Sequence, residues 1–280
     1  MTTVTERAPA PSRRTAEAGR RRPRRRGRLL HVYTWLVVLW LMTPIFVIIA
    51  FGFNDTKGKF NYEWQGLTLN WYRHLFDIND LTTALVNSIT IALVVTVIAT
   101  TFGTLIGFAL GRWRFRGQGA TEFTLFANIS APEITLGTAL LSLFVTANIP
   151  RGYWTIVIAQ VMFDIAYVAV TVRARMAGFD VRLEEAARDL GAGPFATFRL
   201  VTLPILLPGI VAGALLAFAL SIDDFIITQF NSGQVQTFPL WVYGATRVGV
   251  PPQVNVMGTL IFAGGVLLAL GNVLLMRRRR

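Results

Sequence analysis

The chain contains no cysteine, two histidines and two lysines. Without cysteine there is neither a disulfide nor thiolate chemistry, and the compartment is left open by this absence. A phosphate-binding loop of the form G-x-x-x-x-G-K-[ST] needs a lysine that reaches phosphate, followed by Ser or Thr. The lysines are Lys57 and Lys59, and Gly58-Lys59 is followed by Phe60. The chain therefore carries no nucleotide-hydrolysing motor of that type. His31 and His74 are far apart, neither stands in H-E-x-x-H, and no G-x-S-x-G occurs. Acids are scarce, 15 against 27 basic residues. Asp164 stands in Phe-Asp-Ile, and Asp223 and Asp224 are adjacent rather than opposed, which argues against an intramembrane aspartyl protease. Catalysis is disfavoured, and the sequence offers no metal site.

What is abundant is apolar length. Hydrophobic residues make up 53% of the chain and mean hydropathy is +0.51. A bilayer core takes about 20 mostly apolar residues per helix. Six such helices are expected, at 29–53, 83–111, 122–147, 153–172, 201–222 and 253–276. The fold class is thus all-α, a polytopic membrane protein. Lys and Arg fix the expected orientation. With the N-terminus inside, the inner segments hold 22 of these residues and the outer ones 5. Both termini are then cytoplasmic. Residues 1–28 hold 10 arginines among Pro and Ala, and read as a disordered tail. That tail suits a topology anchor touching anionic lipid; a nucleic-acid-binding tail is the less favoured reading of its charge. Residues 29–276 form the membrane domain, and Arg277–Arg280 a short basic end.

Two features within the helices bear on packing. Gly103, Gly107 and Gly111 form a small-residue ladder that lets another helix come close. Pro204 and Pro208 remove backbone donors and bend their helix, as a static kink or a gating bend.

Residues 173–200 are too long and too polar for a hairpin. "VRLEEAARDLGAG" reads as a short amphipathic helix with Asp180 at its cap, ended by Gly191 and Gly193, with Pro194 starting the next segment. Glu185 beside Ala186 and Ala187 makes a narrow ridge with one charge. That ridge suits docking on another protein, or simply a solvated interfacial helix. Glu185-Ala186-Ala187, Gly191, then Val201-x-Leu203-Pro204 after nine residues, resembles the EAA loop of ABC-importer permeases; Val201 stands where Ile is usual. The resemblance implies a type I ABC-importer permease fold. It also implies that Glu185, Ala186, Ala187, Gly191, Leu203 and Pro204 couple the chain to a cytoplasmic ATPase.

More of the chain, from about residue 33 to about residue 270, is similar to the second membrane subunit of spermidine/putrescine importers. The matching stretches include "FGFNDTKGKFNYEWQGLTLNWYRHLF", "RWRFRG", "APE" at 131–133, "LSIDDFIITQF" and "FPLWVYGATRVGVPPQVN". Four acids, Glu133, Asp164, Asp223 and Asp224, lie in or at the ends of membrane segments, where a carboxylate costs roughly 2.5–3.5 kcal/mol near a helix centre. Such groups suit the path of a di- or tri-ammonium ion. The resemblance raises Asp223 and Asp224, with Ser221 beside them, to a cation site. Glu133 stands where the family has Asp. Trp71 and Trp64 are either cation–π faces or interfacial aromatics. Asp164 has no family counterpart, and is a pathway acid, an arginine partner or a structural residue. The implied partners are two ATPase copies carrying ATP and Mg, a second related permease, an extracytoplasmic binding protein, membrane lipid and a polyamine. No cofactor is expected on the chain itself. Permeases for thiamine, ferric iron or opine-like amines remain the alternative within the class.

Overall fold

The computed structural model describes residues 24–58 and 60–278, and it divides into two units, one up to Val47 and one from Ile48 onward. Every regular element among the described residues is helical, apart from an isolated bridge between Asn54 and Leu67. Helix α1 runs Arg24–Phe51 and carries Pro44 inside it. The helix therefore begins inside the stretch expected to be disordered. Arginine is a good helix former, and Arg24, Arg25, Arg26 and Arg28 extend the apolar helix by a turn. Residues 1–23 of that tail, and Arg279–Arg280 of the C-terminal one, lie outside the described residues.

In the second unit, α2 (Asn70–Arg73) precedes α3 (Asn79–Arg112). Then come α4 (Gln118–Ser130), α5 (Glu133–Thr146) and α6 (Tyr153–Met176). The short α7 (Arg182–Asp189) and α8 (Pro194–Thr197) lead through a π-turn at Phe198–Thr202 into α9 (Leu203–Asp223). Helices α10 (Ile226–Asn231), α11 (Phe238–Ala245) and α12 (Pro252–Arg278) complete it. Among the described residues, five helical stretches are long and apolar enough to span a membrane: Leu30–Phe51, Asn79–Arg112, Tyr153–Met176, Pro194–Asp223 and Pro252–Asn272.

The third expected helix, 122–147, is broken. Helices α4 and α5 meet at 107°. Pro132 supplies no N–H to the helix before it and forces its predecessor out of helical geometry. Ala131 duly takes φ −72° and ψ 137°. The helix N-terminus this creates carries Glu133 in its first turn, where a negative charge is favoured.

Helix α6 is the axis of the second unit. It is buried along one side from Thr155 to Met176, with α3 and α9 both packed against it. Lipid offers no hydrophobic drive for helix pairing, so close approach at small residues must supply contact. The glycine ladder does this. A Cβ at Gly103 would lie 2.6 Å from Val168 Cβ, one at Gly107 2.4 Å from the Ala169 carbonyl oxygen, and one at Gly111 2.5 Å from Met176 Cβ. From α9, Gly213 faces the same Val168 (3.1 Å) and Gly209 faces Arg175 (2.7 Å).

The segment after α1 folds around Asn54, which is fully buried. Its amide donates to Asn61 Oδ1 (2.7 Å) and to the Glu63 carbonyl (2.6 Å), and its Oδ1 accepts from the Gln65 N–H (2.7 Å). The chain at this end of the bundle is therefore an ordered cap rather than a slack loop.

Gly107→Ala is expected to destabilise the detergent-solubilised chain by about 1–3 kcal/mol, the range for overpacked cores. Gly119→Ala in α4, where a methyl meets nothing within 4 Å, should leave the melting temperature unchanged. Equal melting of the two variants would remove the ladder from the account.

Candidate functional site

The bundle presents two candidate sites, one at each end of the α6–α9 pair. The first is the 173–200 connection. Helix α7 forms where expected. The Asp180 carboxylate accepts the Arg182 N–H (3.0 Å), one residue ahead of the N-cap Val181. Gly191 takes φ +87°, a left-handed conformation that ends the helix and that side chains disfavour. Pro194 opens α8. Pro204 has no N–H to donate into the turn before it, and Phe198–Thr202 adopts the wider π geometry. Glu185 and Ala186 are exposed, Ala187 is half-buried, Leu203 is half-buried and Pro204 exposed. The narrow one-charge ridge thus faces outward.

The residue next to it does not. Glu184 is buried, and its Oε2 accepts from Arg112 Nη2 at 2.8 Å. Its Oε1 accepts from the Thr202 hydroxyl at 2.6 Å. One carboxylate thereby ties α7 to the end of α3 and to the π-turn that begins α9. The side chains of Arg112 and Glu184 are 21% and 7% exposed, so water competes little with either bond. Removing one partner would leave a largely buried charge uncompensated, a cost on the order of 3 kcal/mol. A cavity of about 240 Å³ lies beside the pair, walled by Phe108, Trp113, Phe198 and Arg188. Sequence reading assigns neither Glu184 nor Arg112 a role at this site. Nothing in local spacing joins residues 72 positions apart.

The second site gathers acids from three elements. Glu133 begins α5, Asp164 sits in α6, and Asp223 and Asp224 end α9. Packing brings these elements together: Gln160, one turn before Asp164, donates to Asp224, and α10, which follows Asp224, packs on α6 and on Gly137, one turn after Glu133. Tyr167, one α6 turn beyond Asp164, packs its ring on Phe163 at 5.0 Å. Asp164 is 1% exposed, and its Oδ2 has no hydrogen-bond partner among the described residues.

The four acids differ in what they have left to offer. Asp224 is engaged: its Oδ2 accepts from Gln160 Nε2 (3.1 Å), from the Thr228 N–H (2.8 Å) and from the Thr228 hydroxyl, while its Oδ1 accepts the Ile227 N–H (3.3 Å). It caps α10. Ser221 is buried and donates to Gln160 Oε1. Ser221 and Asp224, expected to line a cation path, thus form one buried network with Gln160 and Thr228. Asp223 and Glu133 are exposed. Gln160 was missed by sequence reading, although a glutamine one turn before Asp164 in an apolar helix is itself a legible signal.

Asp223 also stands at the wall of a groove of about 930 Å³ between α9, α11 and α12. Phe218, Phe225, Phe238, Tyr243 and Phe262 contribute the aromatic part of its lining, and Asp223 is the one acid there among the described residues. The Tyr243 ring packs on Phe225 at 4.9 Å and carries the Arg247 guanidinium at 5.2 Å.

The tryptophans expected on the path have other surroundings. The Trp71 indole N–H donates to the Asn54 carbonyl (2.7 Å), and its ring packs with Leu75, Leu81 and Met257. It helps build the cap around Asn54. Trp64 is exposed and meets Phe51 edge-on at 6.2 Å. No hydrogen bond or ring contact among the described residues joins either to the acids.

Asp224→Ala is expected to cost about 1–3 kcal/mol, because it strands donors that Asp224 now satisfies. Asp223→Ala should change stability by less than about 0.5 kcal/mol, as for an exposed site. Thermal melting of the two variants separates them, and a destabilised Asp223→Ala would contradict this division.

Known proteins share both the sequence pattern and the fold. The family described as "Binding-protein-dependent transport system inner membrane component" matches residues 103–278. The spermidine/putrescine transport system permease protein PotC of Haemophilus influenzae is 36% identical over 251 residues, 89% of this chain and 97% of that one. The putrescine transport system permease protein PotI of Escherichia coli is 36% identical over 241 residues, 81% of this chain and 85% of that one. Among solved structures, a bacterial ABC transporter involved in the import of the acidic polysaccharide alginate superposes with a TM-score of 0.65 at 12% identity, covering 91% of this chain and 96% of that one. This last likeness bears on the fold alone.

Proposed function

The chain belongs to the family of binding-protein-dependent transport system inner membrane components, multi-pass transport permeases rather than enzymes, and on that premise we propose that it forms half of a polyamine import path. The observation that carries this reading is that Glu133, Asp164, Asp223 and Asp224 come from three separate elements of a membrane bundle that pack together around α10. Carboxylates are costly there and mark ion or substrate paths. A polyamine pairs several ammonium groups with apolar methylene links. Exposed acids beside an aromatic groove answer both halves of that chemistry. The names of the curated relatives point the same way.

The other expectations follow from this role. The 22-to-5 split of basic residues supports cytoplasmic termini, with the α7 ridge facing the cytoplasm. There Glu185, Ala186 and Ala187 meet one of two ATPase copies, which hold ATP and Mg. A second, related permease closes the path, and an extracytoplasmic binding protein delivers substrate. Rigid-body motion of the ATPases, received at α7, tilts the bundle between its two openings.

Two substitutions test the reading in the assembled transporter. Glu185→Arg reverses the one exposed ridge charge and is expected to abolish uptake while membrane insertion stays normal; undiminished uptake would sink the docking assignment. Asp223→Asn is expected to raise the KM for putrescine about tenfold, the equivalent of roughly 1.4 kcal/mol. Unchanged kinetics would reduce Asp223 to a boundary residue.

A further inference from the structure

The docking ridge must pass force to helices that span the membrane, and α7 has only eight residues. Its own apolar contact with the bundle is slight: Glu184 is the one α7 residue that is buried. The chain leaves α7 through Gly191 and Gly193, neither of which has any heavy atom within 4 Å of where a Cβ would lie. A helix held only by that connection would pivot when pushed. We infer that Glu184 is the positioning residue that prevents this, clamping α7 to α3 through Arg112 and to α9 through Thr202. The inference rests on the importer reading above.

The geometry makes the clamp two-armed. The two carboxylate oxygens go to different helices, 2.8 Å to the guanidinium and 2.6 Å to the hydroxyl. Arg112 is the last residue of α3, whose glycine ladder locks it to α6. Thr202 is the last residue of the π-turn, and the wide turn sets the register at which its hydroxyl meets Glu184. Phe108 of α3 meets Trp113 at the end of its own helix (5.2 Å) and crosses to Phe198 of the π-turn (5.8 Å), so one aromatic cluster links the two anchors. Further along, the Arg175 guanidinium donates to the Ile205 carbonyl (3.1 Å), tying α6 to the start of α9. A displacement of α7 is therefore passed to α3, α6 and α9 as one body. Glu185 receives the push; Glu184 keeps the push from being lost.

The absence of native cysteine makes the test clean. Arg112→Cys with Glu184→Cys is reconstituted in proteoliposomes with the ATPase, the second permease and the binding protein. Uptake and ATP hydrolysis are measured before and after a short bis-maleimide joins the two thiols. The unlinked variant is expected to keep basal hydrolysis within twofold while uptake per ATP falls at least fivefold. Linking should restore uptake to at least half the native value, because the clamp moves as a unit and need not open. Unlinked uptake within twofold of native, or uptake that stays low after linking, overturns the proposal. Should the double variant fail to reach the membrane, Glu184→Gln keeps the length and the hydroxyl contact. It is expected to lower uptake per ATP at least twofold, and no change would overturn the clamp. A native complex whose hydrolysis rises with binding protein but which imports no polyamine tells instead against the substrate reading. Binding-protein-stimulated hydrolysis then serves as the readout for the clamp.

Discussion

Everything in the second unit depends on how closely α3 and α9 approach α6. Lipid removes the hydrophobic incentive for helices to pair, so the contact has to come from packing and from polar groups. Val168 on α6 is met by both Gly103 on α3 and Gly213 on α9, where the three helices come together. Because those surfaces have no side chain to yield, the three helices behave as a stiff core. Stiffness lets the two ends of the bundle do different work while remaining mechanically joined.

At one end the core ends in a polar network. Gln160 on α6 reaches Ser221 on α9 and Asp224 and Thr228 beyond it, so α6, α9 and α10 are fixed relative to one another. That network engages Asp224 and leaves its neighbour Asp223 exposed, while Asp164, one α6 turn from Gln160, is buried with one oxygen unpartnered. At the other end, three arginines tie helices together: Arg112 to Glu184, Arg173 to Glu122 and Arg175 to the Ile205 carbonyl. An end that gathers acids and an end braced by arginines thus share one packed core of α3, α6 and α9.

Much of this was legible in the sequence, and the parts that were not share a cause. Helix positions follow from apolar length, and the glycine ladder from its spacing of four, because both are local. The short helix with Glu185, Ala186 and Ala187 follows from propensity and capping. Pro132 alone did not announce that 122–147 would break by 107°, since proline is tolerated in membrane helices when neighbours satisfy the freed groups. Glu184 and Arg112 were invisible as a pair because they are joined only by the packing of α3 on α6 and α9. Trp71 reads as a free aromatic until the buried Asn54 is seen to take its N–H. Asp224 looks equivalent to Asp223 in sequence, and differs from it because the turn into α10 points donors at one of the two.

The central claim is that this chain is an obligatory half of a cation import path. The most direct measurement is uptake of radiolabelled spermidine and putrescine by cells lacking their own polyamine importers. These cells would express the ATPase, the second permease and the binding protein, with or without this chain. ATP-dependent accumulation is expected only when the chain is present. Equal accumulation without it, or none with it while the four proteins assemble and hydrolyse ATP, would rule out that role.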